Sequence, residues 1–437
     1  MNTKKVAFHT LGCKLNYAET SVIGNSFLKR GFSITNFDSR ADVYVINTCT
    51  VTENAERECR QIIRRALRRN PNGFVIVTGC YAQLRPEQIQ NIEGVDLVLG
   101  TKEKFEIFNF IDSFEKKDLA CVHVSSFEEL NDFGPAFTPI PEDRTRAFLK
   151  IQDGCDYKCS FCTIPLARGL SRSQSEEETV SQFNELVEKG YKEIVLTGVN
   201  VGDYGAKIGT NLYQLLIKLI KVSGDFRIRI SSIEPNLLSD EIIELIAKEE
   251  KLCKHFHIPL QSGSDKILKR MQRRYLSRLY AERIEKVKSF IPNAGIGVDV
   301  IVGFPGEDEN DFRSTQEFIA NLPVSYLHVF TYSERPGTPA AEMKEQVPKD
   351  ERRRRTNTLR ILSARKKYQF YLEMLGSEQK VLFEHRDDDG TIKGFTSNYI
   401  RVVTNSNDEL TNKFADFKLI ELKNEFVTGE ILKIYED

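Results

Sequence analysis

Residues 154–162 read GCDYKCSFC, which sets Cys155, Cys159 and Cys162 in a C-x3-C-x2-C loop. Three thiols so close along the chain can hold three corners of one metal cluster. Iron–sulfur clusters take thiolate ligands, normally four. A set of three leaves one iron open to a substrate or cofactor. A zinc knuckle is the alternative, but no histidine or fourth cysteine lies nearby to close one. The loop follows a strand-like run near Phe148, and five more runs begin near Ile194, Ile228, Phe256, Val298 and Leu327. Helical patterns over 176–188, 212–221, 239–248, 265–290 and 308–321 separate them. Six βα units predict an open, partial barrel, because a full TIM barrel needs eight.

Upstream, a simpler unit repeats. Apolar runs over 6–9, 43–46 and 74–77 end in Leu11-Gly12-Cys13, Asn47-Thr48-Cys49 and Thr78-Gly79-Cys80, and a helical pattern follows each. A fourth run, 95–99, ends at Gly100. Short apolar runs alternating with helices predict a parallel α/β sheet. Such a sheet gathers its strand C-termini on one edge, where ligands bind. Cys13, Cys49 and Cys80 then either converge as a second set of three ligands or are buried structural cysteines. Cys59, Cys121 and Cys253 have no such context and are read as packing or surface residues.

Downstream, a basic helical stretch over 352–367 leads to short strand patterns over 380–384, 394–399, 400–403, 417–422 and 428–435. Turn-like clusters separate them, which predicts a small β-barrel. The fold class is therefore α/β: an N-terminal parallel α/β domain (1–130), a linker (131–145), a partial (β/α)6 barrel (146–369) and a small C-terminal β-barrel (370–437).

Composition narrows the class. The 437 residues are 40% hydrophobic and 29% charged, with a net charge of −1. That profile excludes a disordered or collagenous chain. No apolar run is long enough for a membrane span. The N-terminus lacks a signal-peptide pattern, so a cytoplasmic protein is expected. Nine cysteines there are expected to be thiols rather than a disulfide framework. No Ser/His/Asp triad or Walker loop competes.

The cysteine loop at the head of six βα units resembles the radical S-adenosylmethionine (SAM) superfamily. With the upstream cysteines and the small terminal barrel, the whole chain resembles the methylthiotransferases of that superfamily, which end in a TRAM domain. The motifs carrying the resemblance are LGCKLN (11–16), GCY (79–81), the loop 154–162, TGVN (197–200), QSGS (261–264) and GFPGE (303–307). LGCKLN, SSIEP (231–235) and the DGC start of the loop look like the branch acting on N6-threonylcarbamoyladenosine at position 37 of tRNA.

The resemblance implies two [4Fe–4S] clusters, one on Cys155, Cys159 and Cys162 and one on Cys13, Cys49 and Cys80. It implies SAM contacts from Thr197, Gly198, Asn200, Ser232, Glu234, Gln261, Asp299 and Gly303. It also implies transfer of a methylthio group to C2 of the modified adenine, a carbon whose hydrogen is unreactive toward acid–base groups. No catalytic residue is assigned beyond the cluster ligands. A low-potential electron donor of flavodoxin or ferredoxin type, a sulfur donor and the tRNA anticodon stem-loop are the implied partners; no membrane is. Alternatives are methylthiolation of isopentenyladenosine in tRNA or of a ribosomal-protein aspartate. From another class come a non-catalytic iron–sulfur electron carrier and an RNA-binding protein.

RNA needs cations. Arg57, Arg60, Arg64, Arg65 and Arg68 recur at helical spacing after Cys49 and are expected to grip the stem-loop. Lys269, Arg270, Arg273 and Arg274 form a second basic cluster, and Arg352, Arg353, Arg354 and Arg355 a third. From Glu373 onward there are 14 acidic and 8 basic residues, a net of −6, which argues against strong phosphate binding by the small barrel.

Overall fold

The computed structural model describes residues 3–50, 53–130, 133–134, 145–387, 390–406 and 408–436. Almost all of the expected linker lies outside the described residues. The N-terminal sheet is wholly parallel and six-stranded, in the order Ser33–Thr35, Lys5–Thr10, Val43–Thr48, Phe74–Gly79, Leu97–Leu99, Cys121–His123. Every residue of Val43–Thr48 and Phe74–Gly79 is buried, as central parallel strands covered on both faces require. The two edge strands escaped the sequence reading. Each has only three residues and none is buried, so neither carries a hydrophobic run.

The six central βα units form an arc in chain order. Arg146–Lys150, Glu193–Thr197 and Arg227–Ile230 make one parallel sheet, and His255–His257, Gly295–Val302 and Tyr326–Thr331 another. Parallel bridges Ile228 to Leu252 and Ser232 to His257 join the two, and one hydrophobic core runs beneath both. The helix Lys14–Leu28 of the N-terminal sheet packs against Arg146–Lys150, the first strand of the arc. The helical pattern over 265–290 is broken into Asp265–Arg270 and Ser277–Phe290. Gln272, with φ 56, turns the chain between them and carries Arg273 toward the cysteine loop.

The helix Lys349–Glu373 leads into a closed five-stranded barrel, ordered Glu378–Arg386, Ile392–Thr396, Arg401–Thr404, Phe426–Ile434, Phe414–Lys423. The strand expected over 394–399 stops at Thr396, because Tyr399 takes φ 76 in a tight turn. This turn docks on the N-terminal end of the arc. Arg227 donates to Phe395 O at 3.1 Å, Arg229 to Ser397 O at 3.3 Å, and Asn398 to Asn293 O at 2.8 Å. The small barrel therefore sits at the end of the arc opposite the cysteine loop. No helix among the described residues is long and apolar enough to cross a membrane.

Candidate cluster and cofactor site

The loop of Cys155, Cys159 and Cys162 follows the first strand of the arc, at its C-terminal end. Gly154 makes the turn into the loop at φ +68, where a Cβ would lie 2.1 Å from the carbonyl oxygen of Leu170. Cys159 is buried and the other two are partly so. Burial pushes the Cys155 thiol up to about 11 and the Cys162 thiol up to about 12, and each senses the Cys159 charge. Each sulfur meets a donor: the Tyr157 N–H on Cys155 at 3.4 Å, the Ile164 N–H on Cys162 at 3.4 Å, and the Arg273 guanidinium on Cys159 at 3.1 Å. Such donors stabilise anionic sulfur and tune a cluster held there. Arg273 is itself held by the Glu234 carboxylate and the Tyr275 hydroxyl. In sequence Arg273 belongs to the second basic cluster; in the fold its guanidinium meets sulfur.

Cys13, Cys49 and Cys80 lie just past three neighbouring parallel strands. The register pairs Thr10 with Asn47 and Thr48 with Gly79, so the three strands end at one level. Gly12 brings two of the turns together: at its φ of +95 a Cβ would lie 2.6 Å from Cys49 Cβ and 2.8 Å from Cys49 Sγ. The Asn16 amide ties the same turns by donating to Leu11 O at 2.8 Å and Thr48 O at 3.1 Å. Cys13 caps the helix Lys14–Leu28, and Cys80 opens the helix Cys80–Leu84. Cys49 and Cys80 are buried. Cys13 is open to solvent, yet burial among surrounding protein raises its thiol, which also feels Arg168 and Cys80. Cys13 is thus accessible yet crowded by protein.

Arg168 stands between the two cysteine sets. Its guanidinium donates to Asn16 Oδ1 at 2.7 Å, to Glu19 at 3.0 and 3.1 Å, and to Asp153 Oδ1 at 3.0 Å. Lys104 completes Glu19 at 2.6 Å, and Lys150 contacts Asp153 at 3.3 Å. All five charged groups are buried. Burial alone would raise Glu19, but Arg168, Lys104 and Lys150 hold its carboxyl at about 2. The same cations, with Arg172, hold Asp153 well below the usual carboxylate range against its burial. Three buried cations, with Arg172 beside them, face two buried carboxylates between the two cysteine sets. Asn16 lies three residues from Cys13, and Asp153 two from Cys155. One ion network therefore braces both sets.

The cofactor contacts implied by the resemblance divide into groups. Thr197 Oγ1, both polar atoms of the Asn200 side chain and Gln261 Oε1 are buried with no hydrogen-bond partner. Such orphaned atoms are uncommon in native folds and fit a polar ligand such as SAM. Gln152, which the sequence reading missed, links this group to the cysteine loop. Its amide donates to Gly154 O at 2.8 Å, and its carbonyl accepts the Asn200 N–H at 2.9 Å. Gly198 packs against the same side chain. Glu234 joins the loop through Arg273, and Ser232 lies on the bridge to His257. Gln261 and Asp299 line a cavity of about 210 Å³ beside Cys162, Thr163, Ile301 and Tyr332. Gly303 stands apart from that cavity: its N–H is taken by Glu307, and Arg352 fills the space beside its Cα.

The interior of the arc is polar. His257 bonds Asp299 at 2.8 Å, and the ligand atoms of His257, Asp299 and His328 lie within 4.8 Å of one another. Lys14 follows Cys13 at the start of the helix Lys14–Leu28. It is open to solvent, yet burial among protein, with Arg229 and Arg146 nearby, brings its ammonium down to about 8 against Glu193 and Asp299.

The three basic clusters differ. Arg57, Arg64 and Arg68 are exposed on the helix Glu53–Arg69, whereas Arg65 is bound by Asp38 and Arg60 by the Tyr81 hydroxyl. In the second cluster Arg270 pairs with Glu345 and Arg273 with Glu234. In the third, Arg352 pairs with Glu334, Arg354 with Glu351, and Arg355 with Glu307. Much of the cationic charge in these two clusters is thus spent inside the fold.

Comparison with known proteins agrees with this architecture. The uncharacterized protein family UPF0004 matches residues 5–100, and the radical SAM superfamily matches residues 149–319. The chain is 44% identical over 444 residues to the threonylcarbamoyladenosine tRNA methylthiotransferase MtaB of Bacillus subtilis, covering 99% of this chain and 97% of that one. It is 33% identical over 453 residues to a tRNA-2-methylthio-N(6)-dimethylallyladenosine synthase of Clostridium botulinum, covering 98% of this chain and 99% of that one. Among solved structures, the radical SAM methyltransferase TsrM from Kitasatospora setae shares the fold, with a TM-score of 0.56 at 16% identity over 78% of this chain and 75% of that one. Two cysteine-bearing domains, matched in order and over nearly the full length, establish that the chain belongs to the radical-SAM methylthiotransferase family, as an enzyme of the MtaB-like kind.

Proposed function

We propose that the enzyme transfers a methylthio group to C2 of N6-threonylcarbamoyladenosine at position 37 of tRNA. In this reading each cysteine set holds one [4Fe–4S] cluster. The observation that carries it is the Arg168 network, which braces two three-cysteine sets across one interface. Three thiols per set suit clusters that keep one iron open. The choice of nucleoside rests on similarity: 44% identity to a relative named for threonylcarbamoyladenosine, against 33% to one named for dimethylallyladenosine.

Bound at these sites, the clusters and SAM supply one-electron chemistry able to remove hydrogen from an unactivated carbon, and an anchored sulfur to replace it. The chain's own residues bind and exclude. The Arg273 guanidinium and the N–H groups of Tyr157 and Ile164 steady the sulfurs. Thr197, Asn200 and Gln261 offer unspent polar atoms to the cofactor. Exposed Arg57, Arg64 and Arg68, on the helix after Cys49, draw the RNA backbone toward the cysteine sets. The electrons and the sulfur come from external donors, the former of flavodoxin or ferredoxin type.

The test is anaerobic. Reconstituted enzyme is given reductant, SAM, sulfide and tRNA bearing threonylcarbamoyladenosine, and the nucleosides are weighed. The expected result is a gain of one methylthio group on that nucleoside, abolished by Cys155→Ala or Cys49→Ala. A gain on dimethylallyladenosine instead would overturn the choice of nucleoside, and no gain on either would overturn the reading.

A further inference from the structure

We propose that the cleft between the strand Tyr326–Thr331 and the helix Lys349–Glu373 carries the backbone of the substrate RNA, with Phe330 as the face on which a loop base stacks. The proposal rests on the tRNA reading above. The helix lies along the outer edge of the last strand of the arc, and side chains fix it there. The Ser363 hydroxyl accepts the Leu327 N–H at 2.8 Å and donates to Leu327 O at 3.0 Å. The hydroxyls of Thr331 and Thr356 bond at 2.7 Å. On the floor, buried Arg352 donates to Val347 O at 2.7 Å and Tyr332 O at 3.1 Å, and pairs with Glu334 at 2.7 Å. These contacts define a cleft of about 490 Å³.

The rim of the cleft is cationic. Lys349, Arg353 and Arg360 line it, and all three are exposed. Spacings of four and seven residues set them on one face of the helix. Among the described residues Lys349 and Arg360 make no ion pair, and Arg353 meets only Asp350, at 3.8 Å and open to solvent. Four cations line the cleft against one carboxylate, Glu334, which Arg352 already holds. That balance suits a polyanion.

The place of the cleft in the fold says which polyanion. It runs into the cavity of about 210 Å³ beside Cys162 through walls they share, Phe330 to Ser333. Phe330 stands at this junction and is 41% exposed. Aromatic faces beside cations that track phosphates are how single-stranded nucleic acid is held. A folded acidic protein presents a broad surface, whereas a cleft walled by one strand and one helix admits a single chain.

The test is binding of an anticodon stem-loop bearing threonylcarbamoyladenosine to reconstituted enzyme at several salt concentrations. Each single-strand phosphate contact contributes about 0.7 to the log–log salt slope, so Lys349→Ala, Arg353→Ala and Arg360→Ala together are expected to flatten it by about 2. Arg354→Ala, in the same run but held by Glu309 at 2.6 Å and Glu351 at 2.7 Å, is expected to leave the slope as it is. Phe330→Ala should weaken binding about 5- to 100-fold at unchanged slope, and Phe330→Tyr should keep wild-type affinity. Iron content and melting temperature check that each variant keeps its clusters and fold; the three single variants, each worth about 0.7 in slope, replace the triple one if it melts early. An unchanged slope in the triple variant, or equal flattening by Arg354→Ala, would overturn the proposal. So would intact RNA binding with lost reduction by an acidic one-electron donor protein, which would assign the cleft to that partner. If the wild type methylthiolates the stem-loop and the triple variant binds it normally, this inference fails and the functional reading stands. If the wild type neither binds nor methylthiolates it, both fail.

Discussion

Replacing Arg168 by methionine keeps much of its length and removes its charge. Glu19 then loses contacts at 3.0 and 3.1 Å, Asp153 one at 3.0 Å and Asn16 one at 2.7 Å, all in a buried setting. Breaking a buried pair from one side costs about 3–5 kcal/mol; Lys104 and Lys150 still face Glu19 and Asp153 here, so the lower end of that range, about 3 kcal/mol, is expected. Every 1.4 kcal/mol is a factor of ten, so opening of this interface should become roughly 10²-fold more frequent. Amide hydrogen exchange reads that directly. Protection should fall by this factor in the helix Lys14–Leu28 and in the segment 153–168, and hold in the closed C-terminal barrel. Combining Arg168→Met with Glu19→Gln should cost less than the sum of the two, since both changes remove the same Arg168–Glu19 contacts. Unchanged protection in both segments, or strictly additive costs, would refute the claim that this network braces the two cysteine sets.

Two further predictions follow from the same charges. The Glu19 carboxyl sits at about 2 in the fold, below its ordinary value, so its contribution to stability is present above about pH 4.5 and is lost as pH falls toward 2. Melting followed by circular dichroism between pH 6 and 3 should fall more steeply in the wild type than in Arg168→Met; parallel curves would contradict this. On the RNA side, changing Arg57, Arg64 and Arg68 together to Ala should weaken tRNA binding and flatten its salt dependence by about 2–3 in log–log slope. Arg65→Ala should do less, because Asp38 already occupies that guanidinium; equal effects would show that the exposed face is not the phosphate contact.

The fold was legible because its signals are local. Fully apolar runs ending in Gly-Cys or Thr-Cys mark central parallel strands, and parallel strands must share an edge, so the strand ends before Cys13, Cys49 and Cys80 come to one edge by topology. The C-x3-C-x2-C spacing needed no fold at all. What escaped was long-range. The partners of Arg168 at Glu19 and Asn16 lie 149 and 152 residues away in sequence, and no local pattern announces such a pairing. Gln152 carries no local signal, and its role comes from an amide set between the cysteine loop and Asn200. Arginine runs were the weakest guide. Arg352 and Arg355 read as an exposed basic face, yet both side chains turn inward onto Glu334 and Glu307. A run of cations shows charge but not the carboxylate that meets it.

The central claim is that adenine C2 is held between the two cysteine sets when its hydrogen is removed. The most direct measurement uses tRNA whose threonylcarbamoyladenosine carries deuterium at C2, with the nucleosides and the 5′-deoxyadenosine weighed after turnover. The account predicts that deuterium leaves the base and appears in 5′-deoxyadenosine in step with methylthio product. Methylthio product formed while 5′-deoxyadenosine stays free of deuterium would contradict it.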